Sequence, residues 1–336
     1  MKILKIKNIS KKYYNSNSFA VNDFSLSIDK GELLCLVGES GSGKTTILRL
    51  IAGFEQLSNG SIEIDNTIVS SNYKFVSPDK RNIGMVFQNY ALFPHLTVKK
   101  NILFGLRKSN ESKKKFFEVL NFVGLFGFED KYPFELSGGQ QQRTALARTI
   151  ILNPKIVLFD EPFSNLDNKL KEKVRNDLKN ILKKGNITSI IVTHDIKDAL
   201  SIADRIVIIR NGILQQVDIP YEIYCNPVNN YIAQYFGEIN RIKSLSVNNG
   251  FISELGFIHC SDKLSSNKDI ILNIRSENIE ICEFEVGICK GCVKSVVYWG
   301  NCKILKVSTH IHILELFVFY NSEIQIGDII YTKIKY

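Results

Sequence analysis

A glycine loop, Gly38-Glu-Ser-Gly-Ser-Gly-Lys-Thr45, stands between a strand-like run and a helix-like run of this chain. The preceding residues, Leu33-Leu-Cys-Leu-Val37, are continuously apolar, as in a strand that is buried on both faces of a sheet. Thr45 to Ala52 carries apolar side chains at helical spacing and ends at Gly53. A strand, a glycine loop and a helix in this order predict a phosphate-binding P-loop. The chain is therefore expected to hold a nucleotide triphosphate.

Each residue type in this loop has a physical use. Backbone N–H groups and the helix N-terminus face the phosphates, and glycines allow the backbone to approach them closely. Lys44 is expected to neutralise the β- and γ-phosphates, and the Thr45 hydroxyl is expected to ligate Mg²⁺. The residues predicted to bind the nucleotide here are Gly38, Glu39, Ser40, Gly41, Ser42, Gly43, Lys44, Thr45 and Thr46.

Two further strand-like runs end in chemically active side chains. Ile156-Val-Leu-Phe-Asp160-Glu161 places two acids after a buried strand, where Asp160 is expected to hold Mg²⁺ and Glu161 to polarise an attacking water. Val192-Thr-His-Asp195 ends the next apolar run. A lone histidine at such a place is often only a structural hydrogen-bonding group. The acid pair before it favours a γ-phosphate contact for His194 instead.

Bulk properties limit the classes of protein that the chain can represent. Its 336 residues predict about two domains. No apolar run reaches the roughly 18 to 20 residues that cross a bilayer, so a soluble protein made in the cytosol is expected. Seven cysteines, an odd number, argue against a disulfide framework. The net charge of +9 comes from dispersed lysines, which favours a solvated surface and no nucleic-acid partner.

The pattern along the chain changes near Asn240. Before it, strand-like and helix-like segments alternate, which predicts an α/β sheet with a helical insertion. The helix-like segments include residues 101–133, with Phe116 and Leu120 at helical spacing behind a lysine run, and the amphipathic stretch Asn168–Lys184. After Asn240, short apolar segments separated by turns, the first at residues 251–259, predict a small all-β domain, a barrel. The predicted domains are residues 1–238, with a helical subdomain at about 89–150, and residues 239–336.

The second domain contains Cys289-Lys-Gly-Cys292, a pair with the spacing of metal ligands. Three other cysteines, Cys260, Cys282 and Cys302, and two histidines, His310 and His312, lie in the same domain. The histidines are expected to be neighbours on one face of a strand. Because no second Cys-x-x-Cys pair exists, reduced thiols that serve as small core residues are the favoured interpretation.

Leu136-Ser-Gly-Gly-Gln-Gln-Gln-Arg143, together with the motifs above, resembles the signature of the ATP-binding-cassette (ABC) ATPases. The resemblance covers residues 3–237. It implies a P-loop NTPase fold of α/β class with a helical insertion, followed by an OB-like all-β C-terminal domain. It also implies a homodimer in which two copies bind head to tail around two ATP molecules.

Several roles follow from the resemblance alone. Tyr13, or Tyr14 as the alternative, would stack on adenine, and Gln88 would sense both Mg²⁺ and the γ-phosphate. Ser164-Asn-Leu-Asp167 would cross the dimer interface, with Asn165 where alanine is more usual. The residues that would contact ATP bound to the other protomer are Ser137, Gly138, Gly139 and Gln140. With Glu161 as base and His194 on the γ-phosphate, the chain is expected to be an active ATPase that uses ATP and Mg²⁺.

Among ABC ATPases, the passage from the first domain to the second resembles the importers that depend on a binding protein. The similar stretches are Tyr235-Phe-Gly-Glu-Ile-Asn240 and Ile274-Arg-Ser-Glu-Asn-Ile279, although the family usually has proline at Ser276. The resemblance implies a peripheral subunit on the cytoplasmic face of the inner membrane. Its partners would be integral-membrane permease subunits, which it would contact near Gln88 and residues 90–94, and indirectly an extracytoplasmic solute-binding protein.

The transported solute is the least constrained prediction. Three stretches resemble the ferric-iron importers: Ala52-Gly-Phe-Glu-Gln56, Ala91-Leu-Phe-Pro-His-Leu-Thr97 and Glu161-Pro-Phe-Ser-Asn-Leu-Asp167. Importers of polyamine, sulfate, molybdate or sugar share most of these residues, so they remain alternatives. A soluble ABC ATPase that acts on ribosomes or DNA, and a module that binds ATP without hydrolysing it, are the competing classes.

Overall fold

The computed structural model of the chain describes residues 1–14, 16–106, 109–164, 166–259, 268–283 and 289–335, without the side chains of residues 110, 168 and 169. Asn165 and Cys260 lie outside the described residues. The chain divides into two units, Met1–Asn226 and Pro227–Tyr336, whereas the sequence-based boundary follows residue 238. The boundary in the structure lies earlier in the chain because residues after 226 contact the β domain. Arg275, for example, donates to the carbonyl oxygen of Ala233 at 2.7 Å.

The described part of the first unit alternates strands and helices. Its strands are β1 Lys2–Lys11, β2 Val21–Asp29, β3 Leu33–Val37, β4 Asn59–Ile64, β5 Thr67–Ser71, β6 Ile83–Val86, β7 Ile156–Asp160, β8 Ser189–Val192, β9 Arg205–Arg210 and β10 Ile213–Asp218. Its α-helices are α1 Lys44–Ala52, α2 Val98–Leu103, α3 Asn110–Phe122, α4 Gly138–Ile150, α5 Asn168–Lys184, α6 Ile196–Ile202 and α7 Pro220–Cys225. Of the helices described, none combines the length and apolar character that spanning a bilayer requires.

The central sheet of this unit has the order β10-β9-β3-β8-β7-β6. Its strands run parallel except β10, which pairs antiparallel with β9. Strands β3 and β8 are buried over their whole length, which explains their continuously apolar sequences. The carboxyl ends of β3, β8 and β7 therefore lie side by side, and the loops that follow them meet at one edge. This arrangement confirms the predicted α/β class.

A second, antiparallel sheet covers helix α1. It has the order β2-β1-β4-β5, and one buried apolar cluster joins it to α1 and to the central sheet. Helix α1 contributes Ile47, Leu48, Leu50 and Ile51, all fully buried. The helix that begins at the glycine loop is thus packed between two sheets, which gives the loop a rigid base.

The helical insertion contains fewer helical residues than its sequence suggests. Residues 101–133 were expected to be largely helical, but α3 ends at Phe122 and turns occupy most of the following stretch up to residue 132. Gly124 and Gly127 have φ values of 67° and 87° there, a conformation that a continuing helix does not allow. Within α3, Phe116 and Leu120 are buried and the lysines 113 and 114 are exposed, as the spacing predicts.

The described part of the second unit is all-β apart from helix α8 Asn230–Tyr235 and a short 3-10 helix at Ser276–Asn278. Its described strands are β11 Ile239–Val247, β12 Gly250–Ser253, β13 Gly256–His259, β14 Asp269–Arg275, β15 Ile279–Cys282, β16 Cys289–Tyr298, β17 Cys302–Ser308, β18 Ile313–Phe319 and β19 Ile329–Ile334. They form two antiparallel sheets, β13-β12-β11-β14 and β15-β19-β16-β17-β18, around one apolar core. The all-β prediction is confirmed, with a hairpin where residues 251–259 suggest one segment, because Gly256 turns the chain at a φ of 98°.

The described cysteines and histidines of this unit do not form a common cluster. Among the described residues, no group of three or more His, Cys, Asp or Glu side chains could hold a metal ion. Cys289 is buried in the core, and burial raises the pKa of its thiol to about 11. The expected strand position of His310 and His312 is wrong, because both lie in the turn between β17 and β18. His312 instead pairs with Glu254, with 2.5 Å between Nδ1 and Oε1.

One buried arginine closes the carboxyl end of α1. Arg81 donates to the carbonyl oxygens of Leu50, Ile51 and Val76 at 2.7–2.9 Å, and burial lowers the pKa of its guanidinium to about 10. Replacing it (Arg81→Met) leaves these helix-end carbonyls without their donor, so we expect a loss of about 2–4 kcal/mol in the free energy of unfolding. Urea denaturation measures this loss. The exposed neighbour Lys80 supplies the control, since Lys80→Met should change the midpoint little.

Candidate functional site

The glycine loop after β3 depends on glycine at Gly43. This residue is the N-cap of α1 with a φ of 105°, and a Cβ there would lie 2.3 Å from the carbonyl oxygen of Ala20. Both the left-handed backbone and the close approach exclude other residues. Gly41 has a φ of 78°, but a Cβ added to it would meet no heavy atom of the described residues within 4 Å. Strain applies at Gly41, whereas strain and collision apply together at Gly43.

Lys44 lies over the loop that precedes it. The side chain is 6% exposed, and its Nζ donates to the carbonyl oxygens of Gly38 and Glu39, each at 2.8 Å. Desolvation lowers the pKa of the ammonium group, while the charges of Glu161 and Asp160 act in the opposite direction. A buried cation that is held by carbonyl oxygens is ready to take an anionic ligand, because phosphate oxygens offer stronger charge-assisted hydrogen bonds.

Thr45 and Asp160 come together from two elements. The Thr45 hydroxyl on α1 lies 3.5 Å from Asp160 Oδ1 at the end of β7. Desolvation is the largest cause that raises the pKa of the Asp160 carboxyl, and the charge of Glu161 raises it further. A hydroxyl and a carboxylate side by side form an all-oxygen donor set of the kind that Mg²⁺ prefers. The residues present therefore fit a small hard cation.

Glu161 and His194 face each other across the ends of β7 and β8. His194 Nδ1 lies 3.2 Å from Glu161 Oε2. The backbone of Glu161 has a φ of 47°, and its N–H donates to the carbonyl oxygen of Val192 at 3.0 Å. This backbone conformation is energetically unfavourable for a non-glycine residue, and the hydrogen bond to the neighbouring strand maintains it. The backbone in turn holds the carboxylate in place. The two predicted catalytic side chains are thus brought together.

Gln88 lies on the flank of this group. Its Nε2 donates to Ser164 Oγ at 3.1 Å, and that hydroxyl donates to the carbonyl oxygen of Glu161 at 3.0 Å. Gln88 therefore reaches the acid pair through the first residue of the 164–167 segment. Asp167, the last residue of this segment, caps α5 by accepting from the N–H of Leu170 at 2.9 Å.

The two candidate adenine-stacking tyrosines differ in their surroundings. Tyr13 is 36% exposed, and Lys11 Nζ lies 5.0 Å from the centroid of its ring. Tyr14 is fully exposed. An aromatic ring held beside a neighbour needs less ordering on binding than a free one, so Tyr13 is better placed to stack.

The Ser137 segment forms the N-terminus of α4. Ser137 Oγ accepts from the N–H of Gln140, and Gln140 Oε1 accepts from the N–H of Ser137 at 2.8 Å, which is a capping box. A Cβ on Gly138 or Gly139 would lie within 3 Å of Leu166 or Val174, so α4 packs tightly on the 164–167 segment and α5. None of the hydrogen bonds described for Ser137–Gln140 involves the glycine loop of the same chain. A helix N-terminus of this kind suits an anion.

Two polar residues that the sequence reasoning missed, the buried Asn101 and the half-buried Arg148, support the site. Asn101 is fully buried and binds the backbone of Phe93 and Leu96, which shapes the loop before α2. Arg148 donates to the carbonyl oxygens of Tyr90 and Ala91. Their partners are backbone groups, which every residue carries, so no side-chain pattern identifies them.

An ion-pair cluster holds the loop of His194. Lys171 Nζ lies 2.5 Å from Asp195 Oδ2 and 3.5 Å from Asp198 Oδ2, and Arg175 Nη2 lies 2.9 Å from Asp198 Oδ1. Asp198 is buried, and desolvation raises the pKa of its carboxyl. Lys171 and Arg175 lie four residues apart on α5, beside the buried Val174. The sequence contained this i, i+4 spacing of two cations, which places both on one face of the helix.

The comparisons with known proteins show the family to which the chain belongs. The ABC transporter family model matches residues 21–164. A spermidine/putrescine import ATP-binding protein of Acetivibrio thermocellus is 39% identical over 304 residues, which cover 89% of this chain and 85% of that protein. The chain belongs to the ATP-binding subunits of ABC importers. It is accordingly an ATPase that binds ATP.

Other relatives and solved structures extend the likeness of this ABC subunit. A spermidine/putrescine import ATP-binding protein of Spiroplasma citri is 42% identical over 89% of the chain and 86% of its own length. An Fe(3+) ions import ATP-binding protein of Fusobacterium nucleatum is 39% identical over 83% and 76%. The ATP-binding cassette MJ0796, solved as a dimer bound to ADP and phosphate, has a TM-score of 0.54 and 34% identity over 65% of this chain and 98% of its own.

The glycine loop generates a paired prediction. Gly43→Ala should lower the free energy of unfolding by about 3 kcal/mol or more, because strain and a collision with the Ala20 carbonyl act together. Gly41→Ala should cost about 1–2 kcal/mol, from backbone strain alone. Urea denaturation of the nucleotide-free chain measures both. Equal losses for the two variants would contradict the geometry.

Asp160 generates a prediction with a defined pH dependence. Because its folded-state pKa is raised, the ionised carboxylate destabilises the folded chain at neutral pH, and this group's contribution to stability falls as the pH rises through the folded-state pKa. Asp160→Asn should therefore raise the unfolding midpoint of the nucleotide-free protein at pH 7. The gain should vanish below the ordinary carboxyl value of 3.8. The same variant should lose the stabilisation that Mg²⁺ and ATP give the wild type, and a lower midpoint at pH 7 would refute this account.

Proposed function

We propose that this ABC subunit powers the uptake of a polyamine that an extracytoplasmic binding protein delivers to a membrane permease. The supporting observation is the share of this chain that each relative matches. The four relatives that match 89% of this chain, and so extend well into the second unit, are all spermidine/putrescine import ATP-binding proteins. The subunit would lie on the cytoplasmic face of the inner membrane, bound to the permease.

Ferric iron, the solute favoured by the sequence motifs, becomes the second candidate. An Fe(3+) import relative matches 83% of the chain at 39% identity, so this solute keeps specific support. A sulfate/thiosulfate import relative from Pseudomonas syringae is 44% identical but matches 71% of the chain. Motifs in the first unit are common to these groups, which is why they do not separate the solutes.

The placement of the side chains and the family resemblance together support the following mechanism. Two chains would bind head to tail, so that ATP held by Lys44 and the glycine loop of one chain meets the α4 N-terminus, Ser137–Gln140, of the other. Thr45 and Asp160, with Gln88 on the flank, would hold Mg²⁺, which when bound neutralises phosphate charge. Glu161 would accept a proton from the attacking water, and His194 would hold the γ-phosphate.

The same placement explains how hydrolysis could do work. The γ-phosphate would touch both chains only in the closed dimer, so ATP would favour this state over the open one. After hydrolysis that preference would be lost and the dimer would open. The movement would pass to the permease near Gln88 and residues 91–94. Tyr90, which the sequence placed in this contact, is 4% exposed and so lies behind the surface.

Glu161→Gln should separate binding from hydrolysis. The amide keeps the shape but cannot accept the proton, so turnover should fall by about a hundredfold or more while ATP affinity persists. The variant should accumulate as an ATP-dependent dimer in sedimentation analysis, because the closed state no longer decays. Glu118→Gln, an exposed carboxylate on α3 with the same charge change, is the control. An E161Q protein that stays monomeric with ATP would contradict the sandwich.

The solute is tested by uptake in cells. Depleting the chain should abolish uptake of labelled spermidine, and wild-type protein, but not E161Q, should restore it. A permease should co-purify with the tagged chain from solubilised native membranes. Loss of labelled ferric-iron uptake with unchanged spermidine uptake would replace the proposal with the second candidate. Recovery of ribosomes or DNA without a permease would contradict the importer role.

A further inference from the structure

The segment between β6 and α2 is held in a strained backbone conformation. Two successive non-glycine residues, Tyr90 and Ala91, have φ values of 59° and 45°. Side-chain-bearing residues rarely adopt this region, and two in a row persist only if the surroundings determine them. The strain lies two residues after Gln88 and inside the stretch that would face the permease. The groups that hold it are therefore of functional interest.

Arg148, in the last turn of α4, is the main group that holds this conformation. Its Nη1 donates to the carbonyl oxygen of Ala91 at 2.7 Å, and its Nη2 donates to that of Tyr90 at 3.0 Å. The guanidinium carbon also lies 5.5 Å from the centroid of the Phe93 ring. Burial lowers the pKa of Arg148. The planar fork of arginine binds two successive carbonyl oxygens at once, which the single ammonium of lysine does with less geometric precision.

A second connection joins the same segment to the catalytic strand. Tyr90 is buried, and its hydroxyl donates to the carbonyl oxygen of Pro162 at 3.4 Å. Gln142, which is also on α4, donates to this carbonyl at 3.4 Å. Pro162 directly follows Glu161. Helix α4, the strained segment and the end of β7 thus form one connected group.

We propose that Arg148 is a positioning residue that fixes the Tyr90–Ala91 backbone to helix α4, so that the segment and the helix move as one body. Helix α4 begins with the Ser137–Gln140 end that would close on the ATP of the partner. A shift of the segment would then be passed to that end, and the orientation of Gln88 would depend on Arg148. The part of this inference that concerns movement by a permease rests on the proposed function.

The first test measures local opening in the nucleotide-free full-length chain by hydrogen exchange and mass spectrometry. Arg148→Met should increase exchange in peptides covering residues 89–97 by about tenfold or more, since two charge-assisted hydrogen bonds are lost. Arg148→Lys, which keeps the charge, should give a smaller increase of about threefold. Peptides covering β3 should exchange as in the wild type, which shows that the core is intact.

Arg143→Met is the matched control. Arg143 is on the same helix and carries the same charge, but its Nη1 donates to the carbonyl oxygens of Val123 and Gly124 at 3.3–3.5 Å. It should leave exchange in residues 89–97 unchanged. Unchanged exchange in Arg148→Met, or an equal increase in Arg143→Met, would overturn the proposal. If Arg148→Met does not fold, Arg148→Lys decides in the same way.

The second test separates positioning from general stability. In Arg148→Met, kcat for ATP hydrolysis should fall about fivefold or more while KM changes less than about twofold, because the glycine loop is untouched and Gln88 is misplaced. Arg148→Lys should recover part of kcat. Increased exchange with an unaltered kcat would overturn the positioning role. If the wild type supports no polyamine uptake, the proposed function fails, whereas the exchange and kinetic results still decide this inference.

Discussion

The parallel pairing of β3, β8 and β7 is the constraint on which the site depends. Val192 of β8 pairs with Leu36 of β3 on one side and with Asp160 of β7 on the other. The glycine loop, Glu161 and His194 follow these three positions within two residues each. Parallel strands present their carboxyl ends at one edge of the sheet. This register therefore brings the Lys44 ammonium group, the acid pair Asp160–Glu161 and His194 into one site. Neither a one-residue slip nor an antiparallel strand would do so.

The site contains two kinds of unfavourable feature, desolvated charges and strained backbone. Lys44 and Asp160 are both desolvated, and each has a pKa shifted toward its neutral form. Glu161, Tyr90 and Ala91 adopt left-handed backbone conformations that the surrounding strands and Arg148 maintain. Buried charge and local strain are tolerated where they serve binding, and here the packed core around α1 carries that cost.

Much of the first unit was predictable because its signals are local. Strand β3 and helix α5 have the bounds that their sequences indicate, Leu33–Val37 and Asn168–Lys184, since buried parallel strands are continuously apolar and α5 is amphipathic. The glycine loop and the acid pair were likewise recognisable from their sequence context, whereas the roles given to Tyr13, Gln88 and Ser137–Gln140 follow from the family resemblance. Strand β6 was not, because its four residues are mostly half-buried and include Gly84.

The remaining features depend on contacts that the pattern of side chains does not record. Arg148 and Asn101 act on backbone carbonyls, and a carbonyl leaves no mark in the sequence. The end of α3 and the turn of His312 depend on a few glycine or threonine hydrogen bonds that compete with a clear periodic pattern. The sequence does not specify the transported solute for another reason: the proposed ATPase role does not require this chain to touch the solute.

The most direct measurement of the central claim, that each ATP is held between two chains, is a mixing experiment. Lys44→Ala disables the glycine loop and Ser137→Arg blocks the α4 N-terminus, so each variant alone should hydrolyse no ATP. In a mixed head-to-tail dimer, one of the two sites combines an intact Lys44 with an intact Ser137 from the other chain. The account predicts that mixing the two inactive proteins restores ATP hydrolysis. Continued inactivity of the mixture, with mixed dimers shown to form, would contradict it.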